Sequence, residues 1–264
     1  MLTKKDILNW LEIMGVPKDR AVTVHTSLRK IGPIAGGGQT LLDGLIEHCT
    51  AEGGLLCVPT HTWGYMEAGE EVTLDLMMPK SNLGALPNLA LQDARGIRSR
   101  HLTHSVTVFG KGAEAFSKCD AESKTMADPK GCYGELYRRD GYVLLMGVGQ
   151  EKNTFLHCVE EMLGVENRIA AQPITLKIRH QDGKLEERSL YPFFSKGIDD
   201  VSEQFGNYES AFRKYGCLVD GKLGNADVQL CSARKMKEVM ERIYVNSNHA
   251  ELLADKTPIN EAFY

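Results

Sequence analysis

The strongest constraint in this chain is an ordered succession of strand, glycine-rich loop, helix and strand between residues 21 and 59. Ala21-Val-Thr-Val-His25 is a short β-branched run that opens into Thr26-Ser-Leu-Arg-Lys-Ile-Gly-Pro-Ile-Ala-Gly-Gly-Gly38. Leu41, Leu42, Leu45, Ile46 and Cys49 then recur at helical spacing, and Leu55-Leu-Cys-Val-Pro59 is a second apolar run. Two apolar strands joined through a helix form a crossover, which lays them parallel. The same order returns downstream. Tyr142-Val-Leu-Leu-Met-Gly-Val-Gly149 reads as a strand buried on both faces, and Asn153-Thr154 is placed to cap a helix carrying Phe155, Leu156, His157, Val159, Glu160, Met162 and Leu163.

The remaining segments extend this α/β pattern. Thr3 with Asp6 forms a capping-box signature ahead of Ile7, Leu8, Trp10, Leu11 and Met14, and Gly15 and Pro17 end that helix. Residues 60–82 read as a long connection rich in carboxylates, and connections of that length usually serve a site or move. Leu83 to Gln92 is expected to be helical, Ser105 to Phe109 a strand, and Ala113 to Phe116 a short helix. Residues 173–191 alternate around Asp182-Gly183, a strong hairpin signal. A last helix is expected from about Ser232 through Ile243 and on toward Leu253. The expected fold is α/β: a central mixed, partly parallel sheet flanked by helices, with a small antiparallel β-hairpin insertion near 173–191. No repeat or linker divides residues 1–264, which read as a single domain.

Composition narrows the partners. With 31 basic and 35 acidic residues the formal net charge is −4, and no Lys/Arg block marks a nucleic-acid surface. The longest apolar runs fall far short of the roughly 20 residues a membrane span needs. Seven cysteines without metal or redox spacing read as free thiols of a reducing compartment, so the expected location is cytoplasmic. Composition leaves the oligomeric state open.

Three constellations could carry chemistry. Gly36-Gly-Gly38 before a helix N-terminus suits a phosphate, although neither the P-loop nor the dinucleotide spacing is present, and a plain flexible turn fits equally. His157 and Glu160, three apart on a helix, share a face, so a carboxylate could hold one imidazole nitrogen while the other meets a substrate. A surface His–Glu pair has the same spacing. His101 and His104, with His25 and His61 at strand ends, could form a metal site, as a metal-dependent hydrolase would need. Side chains three apart on a strand point to opposite faces, which weighs against that use. Cys132 lacks the local signature of a nucleophile.

Four segments, in this order, resemble the aminoglycoside 3-N-acetyltransferase family, whose fold differs from that of the Gcn-related acetyltransferases. They are Val24-His-Thr-Ser-Leu-Arg29 with Gly32-Pro-Ile-Ala-Gly-Gly37; Pro59-Thr-His-Thr-Trp-Gly-Tyr65; His101-Leu-Thr-His-Ser-Val106; and Leu144-Leu-Met-Gly-Val-Gly149 followed by Asn153-Thr-Phe-Leu-His157-Cys-Val-Glu160. Ser81 to Leu86 and Tyr133 to Tyr137 resemble its connecting motifs. The resemblance implies transfer of acetyl from acetyl-coenzyme A (acetyl-CoA) to an amine, most characteristically the 3-amino group of a 2-deoxystreptamine antibiotic, without a metal. It implies His157 as general base and Glu160 as its orienter. His25, Thr26, Ser27, Leu28, Arg29, Gly36, Gly37 and Gly38, with Thr103, His104, Ser105 and Val106, would receive coenzyme A. Trp63, Tyr65 and Glu67 would lie by the acceptor, and Glu67, Glu70, Glu71 and Asp75 would form an acidic rim attractive to a polycation. The family commonly has proline after the first histidine of the third motif; here Leu102 stands there, which bears on the geometry of the cofactor loop. An acyltransferase for a non-antibiotic amine and a coenzyme A binding module without turnover remain as alternatives.

Overall fold

The computed structural model describes all 264 residues. Ten strands form two sheets: β1 Ala21–Thr26, β2 Leu55–Pro59, β3 Val72–Asp75, β4 Ile97–Arg98, β5 Val106–Phe109, β6 Tyr142–Met146, β7 Ile174–Arg179, β8 Leu185–Leu190, β9 Leu218–Leu223 and β10 Ala226–Ser232. The large sheet runs β4-β5-β2-β1-β6-β10-β9. Its centre is parallel, β1 pairing with both β2 and β6, and its two flanks are antiparallel. The expected mixed, partly parallel sheet is present.

Successive strand residues feed opposite faces, so each central strand supplies two cores. Leu55, Cys57, Val143 and Leu145 belong to one apolar cluster of 32 buried residues, together with Phe155 and Leu156 from the helix after β6 and Met236, Val239, Met240 and Ile243 from the last helix. Leu56, Val58, Leu144 and Met146 belong to the opposite cluster of 23, with Ile7 and Leu11 from the first helix and Leu41, Leu42 and Leu45 from the helix behind the glycines. Burial on both faces explains why β2 and β6 carry almost no polar side chains, whereas β1 holds Thr23, His25 and Thr26, the last two at its carboxyl end.

The Asp182-Gly183 hairpin forms as expected, Ile174 facing Leu190 and Arg179 facing Leu185. It is not alone: β3 joins it in parallel through β7, completing a three-stranded sheet. Residues 60–82 are therefore less of a loop than the sequence suggests, since they hold a short helix, Trp63–Glu67, and β3. The first helix keeps its capping box, Thr3 Oγ1 accepting from the Asp6 N–H and the Thr3 N–H donating to Asp6. The last helix runs Ala233–Asn246 under a Ser232 cap, and Asn248 and His249 at positive φ turn the chain away before Leu253. The helix after β6, Phe155–Leu163, has no side-chain cap; Asn153 instead donates to Gln150 Oε1 at 2.7 Å. No helix is long and apolar enough to cross a membrane.

Gly134 is a packing requirement. A Cβ built on it would overlap the Pro129 carbonyl, so Gly134→Ala must push the Cys132–Arg138 helix off that turn. The expected loss is about 3 kcal/mol, read as a fall in the urea midpoint; an unchanged midpoint would contradict this packing.

Candidate active site

The carboxyl ends of β1, β2 and β6 open on one side of the sheet, where ligands of parallel α/β sheets usually bind. β1 delivers His25 and Thr26, the turn after β2 delivers His61, and the helix after β6 delivers His157 in its first turn. His104 enters from the turn before β5, its ring centroid 4.4 Å from that of His61 and 5.8 Å from that of His101.

His157 is held between two aromatic rings. Phe193 stacks on it, centroids 4.1 Å apart and planes 23° from parallel, and Phe205 meets it edge-on at 4.7 Å. Phe193 follows β8 and Phe205 lies on a 3₁₀ turn, Val201–Tyr208. Neither ring is legible in the sequence, because Phe193, next to Phe194 in an irregular segment, and Phe205, on a 3₁₀ turn, follow no helical or strand period. The imidazole keeps 12% of its side-chain surface exposed, enough to present one nitrogen.

The expected partner is beside it. Glu160 Oε2 lies 3.7 Å from His157 Nδ1, an ion-pair distance beyond direct hydrogen-bond reach. Glu160 is 1% exposed, and Oε2 has no other partner, while Oε1 accepts from Arg168 Nε at 2.6 Å. The two terminal nitrogens of Arg168 donate to Glu251 at 2.7 and 2.8 Å, a bidentate clamp. Burial opposes the Arg168 charge, but the bonds to Glu251 and the charge of Glu160 outweigh it and raise its pKa. No local spacing in the sequence announces this chain of charges, since Glu251 lies 83 residues beyond Arg168.

The other histidines are buried. His61 bonds the Tyr133 hydroxyl at 2.8 Å, and burial, reinforced by neighbouring imidazoles, holds His61 and His104 well below the usual imidazole range. Burial pushes His25 down to about 4. His101 has both nitrogens engaged: Nε2 faces the Thr125 carbonyl at 2.9 Å, and Nδ1 accepts from the N–H groups of Thr103 and His104. That commitment removes it from the four-histidine metal constellation, and no three His, Cys, Asp or Glu side chains are grouped to hold a metal ion. Cys132 is also occupied, donating to the Phe116 carbonyl, and burial raises its pKa well above the ordinary thiol value.

The segments expected to receive the cofactor divide into two kinds. Thr26, Ser27 and Leu28 are half-buried at the end of β1, and Arg29, Gly36 and Gly37 are exposed. Gly36 and Gly37 have left-handed φ of 81° and 70°, and the Gly37–Cys49 helix starts there. At Gly38 a Cβ would come within 3 Å of the terminal methyls of Leu28 and Leu89, which would have to shift to admit it. Thr103, His104, Ser105 and Val106, by contrast, are buried. Thr103 Oγ1 meets His104 Nδ1, and Ser105 Oγ donates to the Thr60 carbonyl at 2.9 Å, so these side chains brace the wall. Leu102 anchors this turn by packing against Leu74, Met126, Ile178 and Leu190, which a proline ring could not reproduce.

Tyr65 lines an open groove with Met78, Lys80, Ser81 and Asn88, and Trp63 is half-buried on the same short helix. Of the four acidic residues, Glu71 pairs with Lys177 at 2.8 Å and Asp75 with Arg179 at 2.8 Å, both bracing the small sheet. Glu67 and Glu70 remain exposed without an ion pair.

A family model described as aminoglycoside 3-N-acetyltransferase matches residues 23–244. The chain belongs to this family. Among its relatives, the SPβ prophage-derived aminoglycoside N(3′)-acetyltransferase-like protein YokD of Bacillus subtilis (strain 168) is 25% identical over 267 residues, covering 93% of each chain. The structure of sisomicin-bound AAC-VIa superposes with a TM-score of 0.79 at 20% identity, covering 94% of this chain and 99% of that one. AAC-IIIb in its binary complex with CoASH gives 0.77 at 18% identity, covering 93% and 97%. At those identities the solved structures establish the shared fold of this aminoglycoside 3-N-acetyltransferase family member.

Proposed function

We propose that this protein transfers the acetyl group of acetyl-CoA to the 3-amino group of a 2-deoxystreptamine aminoglycoside, with His157 as general base and Glu160 as its orienter. The observation that carries the assignment is His157, clamped by Phe193 and Phe205 beside the free Glu160 oxygen at the carboxyl ends of the parallel strands. An alkylamine is mostly protonated at neutral pH, and only the free amine attacks a thioester. His157 takes the proton as the amine nitrogen bonds to the acetyl carbon. The carbon–sulfur bond then breaks, and the thiolate leaves as coenzyme A after regaining a proton. General-base help of this kind is worth about 10²–10⁴ in rate.

Coenzyme A would lie along Thr26 to Arg29 and the exposed Gly36-Gly37 turn, with the glycine amides and the helix start behind them facing its phosphates. His25 Nε2 and Thr26 Oγ1 support this placement, because both are buried without a protein partner and a ligand there can satisfy them. Related structures support it by their contents: AAC-IIIb was solved with CoASH and AAC-VIa with sisomicin. Trp63, Tyr65 and Glu67 would border the acceptor, and the unpaired Glu67 and Glu70 would draw in its cationic amines. All seven cysteines are free thiols, which fits the cytoplasm, where acetyl-CoA would be supplied. We read residues 1–264 as one catalytic domain.

The test is free-thiol release from acetyl-CoA by the purified protein, with and without an aminoglycoside whose 3-amine is free. Antibiotic-dependent release is expected. Release absent with every such antibiotic, alongside clear thermal stabilisation by acetyl-CoA, would overturn the acceptor assignment and favour another amine.

A further inference from the structure

The charge chain behind His157 ends on a part of the molecule remote from the site. Glu160, Arg168 and Glu251 carry −1, +1 and −1, a sum of −1, and their exposures rise from 1% and 5% to 32% of each side chain. Glu251 lies beyond the last helix, and its own Oε1 accepts from the Leu253 N–H at 3.0 Å, so the C-terminal segment fixes its position. If Arg168 had Glu160 alone, its full charge would fall on the carboxylate that must serve His157. Sharing Arg168 with Glu251 leaves Glu160 more of its field, and the bond to Oε1 stops that carboxylate from rotating Oε2 away from Nδ1.

We propose that Glu251, acting through Arg168, is a positioning residue for acetyl transfer: it sets the negative potential and the orientation that Glu160 presents to His157. The inference rests on the reading of His157 as the base. It implies that the C-terminal segment completes the active site without touching substrate.

The groups facing His157 permit a sharp test. Glu160 faces it from its own helix, His61 from the turn after β2 and His104 from the turn before β5, while Phe193 and Phe205 meet it with their rings. Tyr208, on the same 3₁₀ turn as Phe205, is buried beside Glu160, Arg168 and Glu251, and that burial raises its phenol far above the working range. Burial, reinforced by neighbouring imidazoles, holds the titration of His61 and His104 well below the usual imidazole range. Glu161, pushed up to about 7 by burial, titrates nearby but is engaged by Thr125 at 2.6 Å, so Glu161→Gln is the control.

The experiment measures kcat/KM against pH, at saturating acetyl-CoA and one fixed acceptor, for the wild type, Glu251→Gln, Arg168→Gln, Glu161→Gln and His157→Ala. The acceptor amine is common to all of them, so a displaced acid limb reports the enzyme. Glu251→Gln takes the network from −1 to 0, disfavours the imidazolium, and moves the acid limb to lower pH by about half a unit. Arg168→Gln takes it to −2 and moves the limb the opposite way. The KM for acetyl-CoA stays unchanged in Glu251→Gln, and Glu161→Gln leaves the limb in place. Loss of packing alone would lower rates without displacing the limbs in opposite directions. Should Arg168→Gln fail to fold, the direction in Glu251→Gln decides by itself. An unmoved limb, or one moved to higher pH, in Glu251→Gln overturns the inference, provided His157→Ala is inactive; a His157→Ala variant with near-normal turnover overturns the parent reading instead.

Discussion

Replacing His157 with alanine is expected to lower kcat by about 10²–10⁴ and to leave the KM for acetyl-CoA within about twofold. The asymmetry follows from placement. The imidazole sits on the helix after β6, whereas the proposed cofactor contacts lie at the end of β1 and the start of the Gly37–Cys49 helix. Removing the ring deletes proton acceptance and empties the space between Phe193 and Phe205 without disturbing the glycine turn. Steady-state kinetics with a free-thiol readout check this. A kcat within threefold or so of the wild type would remove His157 from the mechanism.

Glu160→Ala should be among the most destabilising single changes in the protein, by about 3 kcal/mol, because it strips one of two counter-ions from a buried guanidinium. Arg168 would keep Glu251, which places the loss at the lower end of the range for broken buried pairs. Glu160→Gln retains an oxygen for Arg168 Nε, so it should keep more of the stability and still lose activity, since a neutral amide cannot support an imidazolium. Urea unfolding of both variants, read beside their kcat values, separates the structural from the catalytic share. A Glu160→Ala variant within 1 kcal/mol or so of the wild type would mean that the buried charge network does not hold this region together.

The legible parts of the fold are those with uniform burial. Tyr142–Met146 and Leu55–Pro59 are apolar along their length because both faces are covered, and the crossover between β1 and β2 follows from their spacing. The β9–β10 hairpin is harder to see. β9 lies at the sheet edge, and its exposed Asp220 and Lys222 around Gly221 break the alternation; the one local signal, not among the elements expected from sequence, is the two-residue Gly224-Asn225 turn, with Gly224 at a φ of 58°. β3 is four residues long and finds its partner about a hundred residues away, so no local pattern reveals it.

The site divides in the same way. His157 and Glu160 are visible because a helix turns their spacing into proximity. Arg168 is eight residues beyond Glu160 and Glu251 another 83 beyond Arg168, and only the folded chain brings three charges into line. The acidic connection misled in part. Glu71 and Asp75 look like substrate-facing carboxylates until β7 supplies Lys177 and Arg179 as their partners. Among the four histidines near strand ends, spacing already weighs against a shared metal, and the folded chain adds that backbone carbonyl and N–H groups use both nitrogens of His101.

Acetyl transfer to a defined amine is decided by the identity of the product. Incubation with acetyl-CoA and a 2-deoxystreptamine aminoglycoside, followed by mass spectrometry and two-dimensional NMR, should show one added acetyl group, located on the 3-amino nitrogen, and none on the protein. An unmodified antibiotic, or an acetyl group on a different nitrogen, would contradict transfer to the 3-amine.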